Sequence, residues 1–223
     1  MTIIQNAGLG SQSSFNRADS NRNHFMEEPS AFAFGQYHSE FDYIFASAQE
    51  TRNTFNGQAP PGNNFMGPAL WPSSLSHFAM ENQGAGGGLG SHLDMLHESP
   101  NGMGIAHDSG NAFWYNDGYY GELVWYDFVN DHDTGGEDHA DGKVRRYSEI
   151  SLTRNANIPG HMILDKANGI LYIADTVAGR VVWVNTDDPT TTSANIYNDG
   201  TRMETLDEYS RISGVEWGVL ATG

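Results

Sequence analysis

The sequence predicts an all-β fold assembled from repeated four-stranded units. Three observations predict it. From about residue 29 onward, short runs of aromatic and β-branched residues are separated by Gly, Asn and Asp, the pattern of strands joined by tight turns. No stretch longer than two helical turns keeps a 3.6-residue apolar stripe, so helix is a minor component. One pattern of three runs also recurs along the chain at a nearly constant interval.

In chain order, residues 1–25 are polar and rich in Asn, Ser and Gly, and read as a flexible lead-in. Residues 26–223 then form the repeat domain. Its faint first unit, about 29–92, takes Ala31–Gly35, Ile44–Ala48 and Arg52–Phe55 as strands. The second, about 98–152, has Gly104–Asp108, Ala112–Gly118 and Glu122–Tyr126, with Val144–Tyr147 as an outer strand. The third, about 158–212, repeats the pattern as His161–Asp165, Ile170–Thr176 and Arg180–Val184. The Asp108–Asp165 and Asp117–Asp175 intervals differ by one residue, a single turn insertion. Ser213–Leu220 reads as the opening of a fourth unit that stops at Gly223. Four strands per unit is the anatomy of a β-propeller blade, and closed rings take 4–8 blades. Three blades and the start of a fourth are therefore expected to form an incomplete propeller.

Composition excludes several function classes. With 11 Lys+Arg against 28 Asp+Glu the formal net charge is −17, and no basic run is present, which argues against nucleic acid and anionic membrane surfaces as partners. Zero Cys removes disulfides, thiolate zinc sites, Fe–S clusters and a cysteine nucleophile. No window approaches the apolar length of a membrane span, so membrane insertion is not expected, and the N-terminal residues lack the basic and apolar regions of a signal peptide. The expected setting is extracellular or periplasmic, with any signal lying outside this sequence.

The run Ile158-Pro159-Gly160-His161-Met162-Ile163-Leu164-Asp165, followed by Leu171-Tyr172-Ile173-Ala174-Asp175-Thr176 and Arg180-Val181-Val182, closely resembles the NHL repeat of β-propellers. Pro100–Asp108 is similar, with Glu122 standing where the repeat usually carries Arg. The resemblance covers about residues 95–185 well and 29–56 weakly. It implies that Asp175 and Arg180, and Asp117 at the equivalent place, brace their blades rather than catalyse. It also brings to mind the NHL-type peptidyl-hydroxyglycine lyases, which hold a catalytic zinc with histidines from successive blades at the channel mouth, beside a Tyr and an Arg. His161 sits where such a ligand is expected; its repeat equivalents are Gly104 and Ala31.

The histidines are the most informative residues for chemistry. His92, His97 and His107 run into the first strand of the second unit, and His161 opens that of the third. Loops entering inner propeller strands crowd one mouth of the channel, so these residues are candidates to converge on Zn²⁺ or Cu²⁺. The structural alternative is that they tie turns and pack. For His107 the alternative is a hydrogen-bonded core histidine, because its repeat equivalents Phe34 and Leu164 are apolar.

A second candidate is the insertion Asn130–Gly142, which carries Asp131, His132, Asp133, Glu137, Asp138, His139 and Asp141. Carboxylates on a Gly-bent loop suit Ca²⁺. Asp131, Asp133 and Gly136 fit the first, third and sixth positions of an EF-hand loop, but Gly142 falls where the bidentate Glu belongs, so this is not an EF-hand. His132 and His139 also admit a transition metal, and the structural alternative is a solvated acidic hairpin.

Gly84–Gly90 lacks the Lys-Ser/Thr of a P-loop, Phe65–Pro72 reads as core packing, and no Gly-x-Ser-x-Gly elbow is present. The functional expectation is a metal-binding propeller presenting a His-lined site to a small molecule, peptide or protein, with metal-dependent lyase or hydrolase chemistry if it is an enzyme. Tyr119, Tyr120 and Arg154 are placed near the mouth. The alternative is a non-catalytic propeller that binds a protein or glycan through a loop face bearing Tyr115, Tyr119 and Tyr120.

Overall fold

The computed structural model describes residues 1–52, 65–84, 88–196 and 205–223. It is all-β, with several open sheets and, among the described residues, one short helix. Among the described residues no helix is long and apolar enough to cross a membrane.

The N-terminal residues are ordered rather than a loose lead-in. β1 (Thr2–Gln5) and β2 (Ser13–Asn16) pair as an antiparallel hairpin, and α1 (Arg22–Phe25) follows. Polar composition misleads here because anchoring comes from two charged side chains. The Arg17 guanidinium donates to the carbonyls of Leu75 and Phe78, and buried Asp19 accepts from the backbone N–H and the hydroxyl of Ser91, both at 2.8 Å. Phe25 at the end of α1 is buried as well.

The first sheet is a meander of β3 (Pro29–His38), β4 (Asp42–Gln49), β5 (Ala69–Trp71) and β6 (Asp94–Met95). Its third strand is therefore Ala69–Trp71. Of the expected strand Arg52–Phe55, only Arg52 lies within the described residues, where it is outside any strand. Trp71 is fully buried and its indole N–H donates to Ser47 Oγ at 2.9 Å, so the Phe65–Pro72 segment does enter the core.

The second sheet follows the expected pattern: β7 (Gly102–His107), β8 (Ala112–Asp117), β9 (Glu122–Asp127) and β10 (Lys143–Tyr147) pair antiparallel in order. The third begins as expected with β11 (Met162–Asp165), β12 (Ile170–Asp175) and β13 (Arg180–Asn185).

The C-terminal strands depart from the repeat pattern. β14 (Thr192–Asn195) and β15 (Glu208–Ser213) leave the third unit and extend the second sheet, with β15 parallel to β10. A bidentate Arg145–Glu208 pair, at 2.9 Å for both bonds, fixes that edge, and Arg145 lies over the Trp125 ring. β16 (Trp217–Thr222) then returns to pair antiparallel with β13. Residues 213–223 thus do not open a fourth unit; most of them supply the outer strand of the third sheet. Gly218 makes this possible, since a Cβ there would meet the Trp183 indole at 2.9 Å.

The sheets stack face to face through two cores. Along β8 the alternation is two-sided: Phe113 and Tyr115 join Ile44, Ala46 and Leu70 of the first sheet, while Trp114 joins Leu171, Ile173 and Val182 of the third. Both faces of the second sheet are buried, which explains its near-continuous apolar runs. β7 lies beside both β3 and β11. The close approach of β7 and β11 needs Gly104, whose absent Cβ would sit 2.0 Å from the Gly160 carbonyl oxygen.

Candidate functional site

The titratable groups gather at the outer edge of the first sheet, against the loop between β9 and β10. Strand β6 offers Asp94 from a run in which Leu93, Met95 and Leu96 are all buried, so its side chain has no exposure either. The loop can press on this strand because of two glycines. Gly135, at φ +79°, donates its N–H to the His92 carbonyl at 2.7 Å, and at Gly136 a Cβ would lie 2.3 Å from the Leu93 carbonyl oxygen.

That contact delivers three loop residues to Asp94. His139 Nδ1 lies 2.6 Å from Asp94 Oδ1, which also accepts the Met95 N–H at 2.6 Å. His132 Nε2 lies 2.8 Å from Asp141 Oδ1, and Asn130 Nδ2 donates to Asp141 Oδ2 at 2.6 Å. One donor atom each from Asp94, His132 and Asp141 falls within 4.8 Å of the others, a separation that one cation can bridge. Asp94 Oδ2 is buried and has no hydrogen-bond partner among the described residues. His132, at φ +50°, and Asp133, at φ +66°, hold the left-handed backbone that turns the loop here.

The two carboxyls are tuned in opposite directions. Burial pushes Asp94 above the usual carboxylate range, and His139 holds it back. Asp141 is half-exposed; its modest burial acts upward, but the bonds from His132 and Asn130 outweigh it and hold the group below its ordinary value.

His97 completes the margin of the cluster, its ring edge-on to His139 at 5.2 Å and tilted against Phe65 at 4.6 Å. His92 is adjacent but structural. Its ring stacks on Phe25 at 3.6 Å, and its two nitrogens face the carbonyls of Leu89 and Gly136 at 3.0 and 2.9 Å, so neither points at a ligand. Burial, chiefly, pulls it down to about 4.

His107 and His161 lie elsewhere, so the four histidines do not form one ring. His107 is half-buried rather than in the core, with Nε2 on the Gly110 carbonyl and Nδ1 accepting from Lys166 at 2.7 Å. His161 is exposed at the start of β11, beside an apolar hollow that includes Met162, Tyr172 and Val181. In the acidic loop, Asp131 faces His38 at 3.8 Å, Asp133 and Asp138 accept backbone N–H groups of their own turns, and Glu137 is exposed. These four do not converge with Asp141.

Tyr119 and Tyr120 occupy the β8–β9 turn, under Arg52 and Arg146 respectively, and Arg154 pairs with Glu50 at 2.8 Å. Tyr115 is fully buried, its hydroxyl donating to the Ser99 carbonyl, and so belongs to no binding face. Asp175 meets Arg180 at 2.8 Å while also accepting from Thr153, which is a bracing arrangement.

The residue that sequence reasoning missed is Asp94. Its signal was there: a carboxylate inside an apolar run between two histidines, where a charge is retained only with a partner. Comparison of the chain with protein-family models and with curated proteins finds no match in either.

Proposed function

We propose that the protein is a metal-binding, NHL-like propeller in which Asp94, His132 and Asp141 hold a divalent cation. Asp94 carries this reading. A fully buried carboxylate with one oxygen lacking a hydrogen-bond partner among the described residues is costly, and a cation within reach of two further donors relieves that cost. One imidazole with two carboxylates suits Zn²⁺ and its divalent neighbours, whereas Ca²⁺ takes six to eight oxygens. Held by Asp94, His132 and Asp141, such a cation would supply an activated water as nucleophile at neutral pH. His139 orients Asp94 through Nδ1, and His97 lies edge-on beside it. The expected chemistry is metal-dependent hydrolysis or lyase cleavage of a small molecule or peptide.

The propeller reading is supported by three stacked sheets, of four, six and four strands, whose first strands β3, β7 and β11 lie side by side, and by Asp–Arg braces in the second and third, buried in the second and half-exposed at Arg180 in the third. A non-catalytic module for a protein or glycan is favoured by one observation, the exposed pair Tyr119 and Tyr120, edge to face at 4.8 Å.

Elemental analysis of untagged protein, with Zn²⁺ titration of the chelated form, tests the site. About one ion per chain is expected, lost in Asp94→Asn, while the metal-free variant melts no lower than metal-free wild type because a buried charge is gone. Absence of stoichiometric binding, or unchanged binding by Asp94→Asn, would overturn the proposal.

A further inference from the structure

A groove runs between the N-terminal hairpin and the first sheet. Its inner part is a cavity of about 410 Å³ walled by Ile3, Phe32, Phe34, Phe45, Leu75 and Phe78, within the size range of ligand pockets. Phe32 and Phe34 on β3 are 44% and 65% exposed, so this apolar surface is presented rather than packed away. A second cavity of about 380 Å³ shares Met1, Thr2, Phe32 and Phe78 with the first and continues to Arg17 and Arg22.

Those arginines reverse the local charge of a chain with net charge −17. The one carboxylate in that lining, Asp19, is already used internally: it accepts from Ser91, Gln83 and the Asn21 N–H. Arg17 donates to the carbonyls of Leu75 and Phe78, and Arg22 to that of Asp19, so both guanidiniums are positioned by uncharged acceptors. Each also carries five N–H donors, more than these bonds consume.

We infer that this groove binds a monomeric amphiphilic carboxylate, with its apolar tail among Phe32, Phe34, Phe45 and Phe78 and its carboxylate on Arg17 and Arg22. An apolar channel ending in two cations rewards both halves of such a ligand, while a neutral or cationic head forgoes the charge-assisted bonds.

The test is calorimetric titration of the full chain with decanoate, decan-1-ol and decylamine below micellar concentrations. Saturable 1:1 binding of decanoate is expected, about tenfold tighter than the alcohol or amine, the worth of one charge-assisted hydrogen bond. Arg22→Gln should cut that preference severalfold and leave decanol binding unchanged, and Phe34→Asp should weaken all three. Because Arg17 also anchors the hairpin, Arg22 carries the head-group test. Equal binding of the three ligands, no saturable binding, indifference to Arg22→Gln, or binding to phospholipid vesicles without binding to monomeric decanoate would each overturn the inference.

Discussion

Asp117 and Arg146 meet at 2.9 Å with both side chains almost wholly buried, one at the end of β8 and the other on β10. In the third sheet the equivalent Asp175 takes its arginine from the adjacent strand, as Arg180. In the second sheet Glu122 holds that place, and Arg146 reaches in from the next strand to contact both carboxylates, with Glu122 at 3.2 Å. It also donates to Tyr209 on β15, to Ser99 and to the Glu98 carbonyl. Replacing Arg146 by Met strands a buried carboxylate and is expected to cost about 3–5 kcal/mol. Arg180→Met, at a half-exposed site where Asp175 keeps Thr153, should cost about 1–2 kcal/mol. Urea denaturation of the two variants reads the difference, and equal losses would contradict the assignment.

Stability should also depend on a buried histidine. His24 is drawn from 6.5 to about 4, first by burial and then by His97. The unfolded chain therefore takes up this proton before the folded one. The contribution is complete above pH 6.5 and is lost as pH falls toward 4, by up to about 3 kcal/mol. The melting temperature is expected to be flat from pH 8 to 7 and to fall across that window, where buried His92 acts in the same sense, so His24→Gln should make the fall shallower by about half.

The contact between β7 and β11 leaves no room for a methyl group at residue 104. Gly104→Ala should therefore cost about 1–3 kcal/mol through separation of the two strands. Gly10→Ala, where nothing lies within 4 Å and φ is unremarkable, is the neutral comparison. Thermal melts of the pair suffice, and a harmless Gly104→Ala would refute the packing.

Removing residues 217–223 should expose the β13 ladder, whose outer partner is β16. Unpaired edges template association. Light scattering is expected to show more self-association than in the intact chain. An unchanged mass would mean that β16 does not cover this edge.

How much was legible follows from how local each contact is. β7 to β9 and β11 to β13 could be placed because their turns are short and their side chains alternate between two buried faces, as Phe113, Trp114 and Tyr115 do. β5 was not, because three residues between Pro68 and Pro72 carry no period, and its partner β6 arrives only at Asp94. The parallel pairing of Lys143 with Glu208 joins distant segments and leaves no local trace. The same reasoning applies to the candidate site. His132, His139 and Asp141 were visible as a loop rich in donors, whereas the partners of Asp94 emerge only once Gly135 and Gly136 bring that loop onto β6.

The path of the last strands has a consequence for how the molecule can be divided. The chain builds most of the third sheet, returns to finish the second with β14 and β15, and only then completes the third with β16. The two units are interleaved, so no single cut releases either with all its strands. Nearest-neighbour repeat arrays tolerate loss or gain of a unit because each owns its own segment of chain. Here the pair must be inherited, excised or grafted as one indivisible module.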